Sequence, residues 1–156
     1  MRKNINKTIL LVALIAIMCI ISGCQKMDVG VTYNVITGDR VTVYCADKEL
    51  KFRPELPFSV LEGKTTLAQG NFITLEQYDT YLAGLKNADE TVTIHQDEII
   101  KDNITYIFYS VTSETGNEHD YIIKINGSNT ALVFGSTLSK EAAEKAFNAI
   151  KFQIQK

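Results

Sequence analysis

Four alternating segments in the second half of the chain constrain its fold more than any other feature. Apolar and polar residues alternate between residues 91 and 135, in TVTIHQDEII, ITYIFYSV, YIIKIN and TALVFG. A period of two residues is typical of β-strands. The connections KDN, TSETGNEHD and GSN are rich in turn-forming residues. Short connections join antiparallel neighbours, so the sequence predicts a four-stranded meander.

The centres of these turns predict which side chains face each other. Four cross-strand pairs are expected: His95 with Tyr109, Tyr109 with Ile122, Ile123 with Leu132, and Tyr121 with Phe134. One face then forms a continuous apolar core that includes Val92 and Ile94. The other face is mixed and is either covered or partly open. We interpret four of its residues as a possible ligand or partner surface: His95, Ile107, Tyr109 and Ile122.

The remaining segments predict a hairpin and two helices. VTYNVI (31–36) and RVTVYC (40–45) are separated by a glycine-containing turn, which is typical of a hairpin. Pro54 and Pro57 favour a short edge strand near 58–61, followed by a loop to residue 71. A capping box begins a helix over 75–86, and Ser139 begins a second whose stripe is Ala143, Phe147 and Ile150. The predicted class is α+β: an antiparallel meander sheet with an N-terminal β-hairpin and two helices packed on the sheet.

The N-terminus has the pattern of a secretory signal. Three basic residues precede a 15-residue apolar run over 9–23, which is shorter than the roughly 20 residues that cross a bilayer. The run ends in Ile21-Ser22-Gly23-Cys24, which resembles the bacterial lipobox. That resemblance implies lipid attachment to Cys24 and cleavage before it by a peptidase that recognises Ile21, Ser22 and Gly23.

The expected organisation is a signal peptide over 1–23, a lipidated tether over 24–30 and one α+β domain over 31–156. The lipid on Cys24 would hold the domain at the outer side of the cell membrane. Gln25 is not the aspartate typical of inner-membrane retention, so sorting to an outer membrane stays open if there are two membranes.

The charge argues against nucleic-acid binding, and the cysteine content argues against an internal disulfide. Removing 1–23 takes three of the 16 basic residues and none of the 18 acids, which leaves a net charge of −5 and argues against nucleic acid as a partner. Cys19 would leave with the signal and Cys24 would be acylated, so Cys45 would have no partner for an internal disulfide. We expect Cys45, in an alternating strand, to be buried.

The mature segment also resembles a known family. Its hairpin, its PFSV strand, its helix, its meander and its final SKEAAEKAFNAIKF helix are similar in order to the PsbP-like α-β-α sandwich family, which occurs in small bacterial lipoproteins. The resemblance covers roughly residues 30–154. It implies a binding or assembly module without catalytic activity, and it transfers no site residue.

No motif predicts an enzyme, a metal or a cofactor. EGKTT (62–66) lacks the earlier glycine of a phosphate loop, because Phe58 stands there. His95 and His119 have no metal-ligand spacing and fall on opposite faces in the predicted register. Tyr78, Tyr81, Tyr106, Tyr109 and Tyr121 suit a contact surface. We therefore predict a membrane-anchored binding module for an envelope protein or small ligand; the alternatives are an accessory subunit of an envelope or transporter complex and, third, a hydrolase.

Overall fold

The computed structural model describes residues 30–155 as two antiparallel sheets and two helices. The elements in chain order are β1 (Gly30–Asn34), β2 (Arg40–Cys45), β3 (Leu50–Arg53), β4 (Phe58–Glu62), β5 (Thr65–Thr74), α1 (Leu75–Lys86), β6 (Val92–Lys101), β7 (Ile104–Ser113), β8 (Gly116–Ile125), β9 (Thr130–Ser136), α2 (Lys140–Ala149) and β10 (Ile150–Gln155). The α+β class, the hairpin, the meander and both helices are confirmed. The signal segment and Cys24 lie outside the described residues, so their roles stay predictions.

The meander is the larger part of a seven-stranded sheet. Its strand order is β3-β4-β5-β9-β8-β7-β6, so β4 is an interior strand and not the predicted edge. The predicted loop to residue 71 is also wrong, because β5 pairs with β4 on one side and with β9 on the other. Gly70 in β5 lets the strand pass the ring of Phe58, where any Cβ would collide with that ring.

The last helix is shorter than predicted. It ends at Ala149, and Ile150 begins β10 instead of completing the helical stripe. β10 joins β1 and β2 in a three-stranded sheet, in which Ile150 pairs with Cys45. Cys45 is partly buried, and its thiol lies 3.7 Å from the carbonyl oxygen of Asp47. Pairing with the distant β2 therefore overrides the helical pattern.

Two of the four predicted cross-strand pairs are confirmed, those between β8 and β9: Ile123 with Leu132 and Tyr121 with Phe134. The β7–β8 register is shifted by two residues. The turn between these strands contains only Glu114 and Thr115, so Tyr109 pairs with Asp120. A shift of two preserves the faces. The β6–β7 register is shifted by one over residues 92–94, which exchanges the faces of that part of β6, whereas Gln96 pairs with Phe108 as the predicted register implies.

The two helices cover opposite faces of the large sheet. α2 and the three-stranded sheet enclose the main core, which contains the β7 residues Ile104, Tyr106 and Phe108. α1 packs on the other face over a smaller cluster that contains Tyr78, Ile107 and Ile122. Thr74 and Gln77 form the predicted capping box, and the helix ends at Asn87 as predicted. Within residues 30–155 neither helix is long and apolar enough to cross a bilayer.

Candidate functional site

The four residues predicted as a possible ligand or partner surface do not form an exposed surface. Ile107, Tyr109 and Ile122 do share a face, but α1 covers it, and they are 3%, 5% and 0% exposed. His95 lies on the opposite face, because β6 is irregular between Ile94 and Gln96. The same shift places Val92 on the α1 side and leaves Ile94 largely exposed instead of in the core. The prediction is corrected accordingly: three of its residues are core, and His95 belongs elsewhere.

α1 nevertheless leaves a cavity at one edge of the face it covers. The cavity measures about 280 Å³ and lies between the second half of α1, the edge strand β6 and its neighbour β7. We call it the α1 pocket; it is lined mainly by Tyr81, Gly84, Leu85, Ala88, Val92 and Tyr109. Gly84 adds room, because no atom lies within 4 Å of the position its Cβ would take. The pocket is therefore largely apolar, with two phenols in its wall.

An acid lies next to Tyr109 on the same face of the sheet, but it does not line the pocket. Asp120 is the cross-strand neighbour of Tyr109 and faces the same side of the sheet, at a Cβ separation of about 5 Å for such pairs. Its carboxylate lies over Gly135, where a Cβ would coincide with Oδ1. Burial raises the pKa of Asp120 to about 6, and the neighbouring Glu118 adds to the rise. Among residues 30–155 no side chain or backbone amide donates a hydrogen bond to it and no cation pairs with it.

The surroundings of the pocket are negative. Burial raises the pKa of the Tyr109 phenol, and the charges of Asp120 and Glu118 raise it further, as does the Tyr81 phenol. Burial also raises the pKa of Tyr78, with further increases from Glu98 and Asp79. None of these shifts has a basic group among its causes. The pocket thus has largely apolar walls, and the acids that act on these phenols lie outside its lining.

The opposite face carries a second polar group that the sequence does not predict. His95 Nε2 and His119 Nδ1 each lie 2.7 Å from Ser110 Oγ, so one hydroxyl joins two histidines. We call these three residues the histidine bridge. Its Ser110 is buried, and the His95 ring packs against Phe108 at 5.1 Å between centroids. The expectation that the histidines lie on opposite faces is wrong.

The histidine bridge lacks the parts of a catalytic or metal centre. Ser110 is in the middle of β7, where its neighbours are paired on both sides, so it has no cluster of unpaired backbone amides to hold an oxyanion. No carboxylate hydrogen-bonds to either imidazole in the described part of the chain. Residues 30–155 also contain no group of three or more histidine, cysteine, aspartate or glutamate side chains placed to hold a metal. We interpret the bridge as a hydrogen-bonded link across three strands.

Burial lowers the pKa of His95. The positive charges of Lys140 and His119 lower it further, and Glu144 opposes them. The neutral imidazole is therefore the favoured form in the folded protein, and it can accept the proton of the Ser110 hydroxyl.

Comparison with known proteins gives no relative for this chain. No family model matches the sequence, and no curated protein matches it either. The resemblances to lipobox proteins and to the PsbP-like family therefore stay predictions.

Proposed function

We propose that the protein is an extracytoplasmic binding module, tethered to the membrane through lipid on Cys24, that holds a small ligand in the α1 pocket. One observation carries the proposal: a cavity of about 280 Å³ with largely apolar walls and two phenol groups remains open between the second half of α1 and strands β6 and β7. A concave, mostly apolar pocket with a few polar groups is typical of a small-molecule binding site.

The tether is tested by lipid labelling in bacterial cells. Cells that express the full chain are fed an alkyne-tagged fatty acid, and the protein is followed in membrane and soluble fractions. We expect the wild type to carry label and sediment with membranes, and Cys24→Ala to lose both properties. Cys45→Ala is the matched control and keeps both. Label on Cys24→Ala, or its absence from the wild type, would contradict the proposal.

A second function, an accessory subunit of an envelope complex, has one observation in its favour. β6 is an edge strand with an unpaired side, and it carries the exposed residues Ile94, Ile99 and Ile100. Exposed edges bind other chains. A photo-crosslinking amino acid at position 100 would then capture one envelope protein, whereas the same group at the exposed Leu138 would not. Equal capture at both positions would argue against this function.

A further inference from the structure

The wall of the α1 pocket contains no charged side chain. The lining consists of uncharged residues alone: Thr80, Tyr81, Gly84, Leu85, Ala88, Val92 and Tyr109. Asp120 and Glu118 act on the Tyr109 phenol, but neither belongs to the lining. A charged ligand would leave water without gaining a partner of opposite charge in the wall, which costs free energy. The wall therefore favours an uncharged ligand.

One hydroxyl in the wall is available for a hydrogen bond. Tyr109 is 5% exposed, and its hydroxyl has no hydrogen-bond partner among residues 30–155. In that part of the chain, no side-chain oxygen or nitrogen that is sealed from solvent lacks a partner, so the Tyr109 hydroxyl reaches accessible space. The cavity that this residue lines is the α1 pocket. Burial raises the pKa of the phenol, so the hydroxyl stays protonated and can donate.

The other polar groups of the wall are already paired or exposed to water. The Thr80 hydroxyl donates a hydrogen bond to the carbonyl oxygen of Glu76 at 2.9 Å. Tyr81 is 43% exposed, so water reaches its side chain. A ligand that covers the Tyr109 hydroxyl without accepting its proton would remove that group from water at a cost in free energy. The pocket therefore favours a ligand that carries an oxygen acceptor.

The size of the cavity limits the ligand. Pockets for drug-sized molecules measure roughly 300 to 1,000 Å³, so a cavity of about 280 Å³ is just below that range. It accommodates a single ring with a short substituent. Leu85, Ala88 and Val92 provide the apolar wall for such a ring.

We infer that the α1 pocket binds a small uncharged molecule with one ring and one oxygen, which accepts a hydrogen bond from the Tyr109 hydroxyl while the ring packs against Leu85 and Val92. This inference rests on the proposed function, since it names the ligand class of the same pocket. It excludes amines and carboxylic acids that are ionised at neutral pH.

The test uses the full chain in detergent at pH 7.5, with ¹³C-labelled methyl groups of alanine, leucine and valine. NMR signals of Leu85, Ala88 and Val92 then locate binding at the pocket. Four probes share one ring and a one-carbon substituent: uncharged benzyl alcohol, apolar toluene, cationic benzylamine and anionic benzoate. The concentration of free probe is measured in each sample, because detergent also takes up small aromatic molecules.

Three variants separate the contributions to binding. Tyr109→Phe removes the hydroxyl and keeps the ring. Tyr121→Phe is the matched control, because Tyr121 is a buried tyrosine of the same sheet, 2% exposed, in the core on the α2 side. Gly84→Leu fills the cavity from an exposed helix position with open space around it.

The expected result is preferential binding of the uncharged alcohol. Its affinity should exceed that of benzylamine and of benzoate by about tenfold or more, because the wall offers no counter-charge. Tyr109→Phe should lower the affinity of the alcohol about fivefold, the range of one hydrogen bond, and should lower that of toluene by no more than about twofold. Tyr121→Phe should leave both affinities within about twofold. Gly84→Leu should remove the binding of both probes.

Two different failures are distinguishable. If Gly84→Leu removes binding, but a charged probe binds as tightly as the alcohol or Tyr109→Phe leaves the affinity of the alcohol unchanged, the pocket is a ligand site and the inferred ligand class is wrong. If no probe shifts the pocket signals, or binding survives Gly84→Leu, the ligand site of the proposed function fails together with the inference.

Discussion

The two faces of the large sheet are covered in different ways, and the difference determines where a ligand can bind. A seven-stranded sheet is about 30 Å wide at roughly 4.8 Å per strand, whereas one helix is about 10 Å across. On one face α2 is supplemented by the three-stranded sheet, and both contribute to one core. On the other face α1 contacts mainly β5, β8 and β9, so the edge strands beyond them are left without a full cover. The α1 pocket lies at that edge.

Packing within the two faces differs accordingly. On the α2 side, Phe108, Tyr121 and Phe147 form a stack with ring centroids 4.2 and 3.9 Å apart and nearly parallel planes. On the α1 side only Tyr78 of the helix is buried, and Leu82 and Leu85 are partly exposed. The α2 side is thus densely packed, whereas the α1 side leaves a cavity at its edge.

Truncating one residue on each side tests this contrast most strongly. Phe147→Ala should lower the free energy of unfolding by about 3 to 5 kcal/mol, because it leaves a cavity beside the stacked ring of Tyr121 and the edge-on ring of Tyr106. Leu85→Ala should cost only about 1 kcal/mol, because Leu85 is already partly exposed beside the α1 pocket. Urea unfolding measures both values. Equal losses of unfolding free energy in the two variants would contradict the difference between the two faces.

Gly135→Ala tests the contact between the acid and the sheet. The new methyl group would coincide with the Asp120 carboxylate, so the variant should lose about 1 to 3 kcal/mol of stability. The same substitution in an Asp120→Ala background should cost clearly less, because the colliding group is gone. A double-mutant cycle from urea unfolding gives the coupling. Additive losses would show that the backbone around Gly135, not Asp120, requires the glycine.

Asp120→Asn tests whether the charge of the Asp120 carboxylate lowers the free energy of unfolding. The pKa of Asp120 is raised from 3.8 to about 6, so the folded state binds the proton more tightly than the unfolded state. Wild-type stability should therefore fall as the pH rises from about 4 to 6. At pH 7 the asparagine variant should be more stable by about 1 to 2 kcal/mol, and the difference should vanish near pH 3.5. A variant less stable than the wild type at pH 7 would contradict this.

His95→Gln tests a residue on the α2 side, where stability is expected to fall as the pH decreases rather than as it increases. The pKa of His95 is lowered below 6.5, so the unfolded state binds protons first on acidification, and the folded protein loses stability as the pH falls below about 6.5. Comparison in an Asp120→Asn background removes the opposing effect of Asp120. There, the loss of stability between pH 7.5 and 5.5 should disappear in His95→Gln. A loss of the same size in both proteins would mean that His95 does not cause it.

Much of the fold was predictable because the alternation of apolar and polar residues can be read from the local sequence. The faces of β7, β8 and β9 followed from alternation alone, and the capping box marked the start of α1 correctly. β5 and β10 were missed because their stability comes from pairing with distant strands, which no local pattern records. Gly70 shows this for β5: it looks like a loop residue, yet it is required by the ring of Phe58.

The candidate site was less predictable because it depends on register. The irregular pairing of β6 between Ile94 and Gln96 places His95 on the other face. The two-residue turn at Glu114 and Thr115 aligned Ser110 with His119 and Tyr109 with Asp120. A correct assignment of that turn from Gly116, whose φ of 136° favours glycine, would have revealed both pairs.

The contact between Asp120 and Gly135 also has an evolutionary consequence. Two positions that share one volume cannot change independently, so a lineage that acquires a side chain at position 135 must first shorten the residue at position 120. Relatives should therefore keep the aspartate and the glycine together or lose both, and the glycine records the position of the acid although it contributes no chemical group of its own.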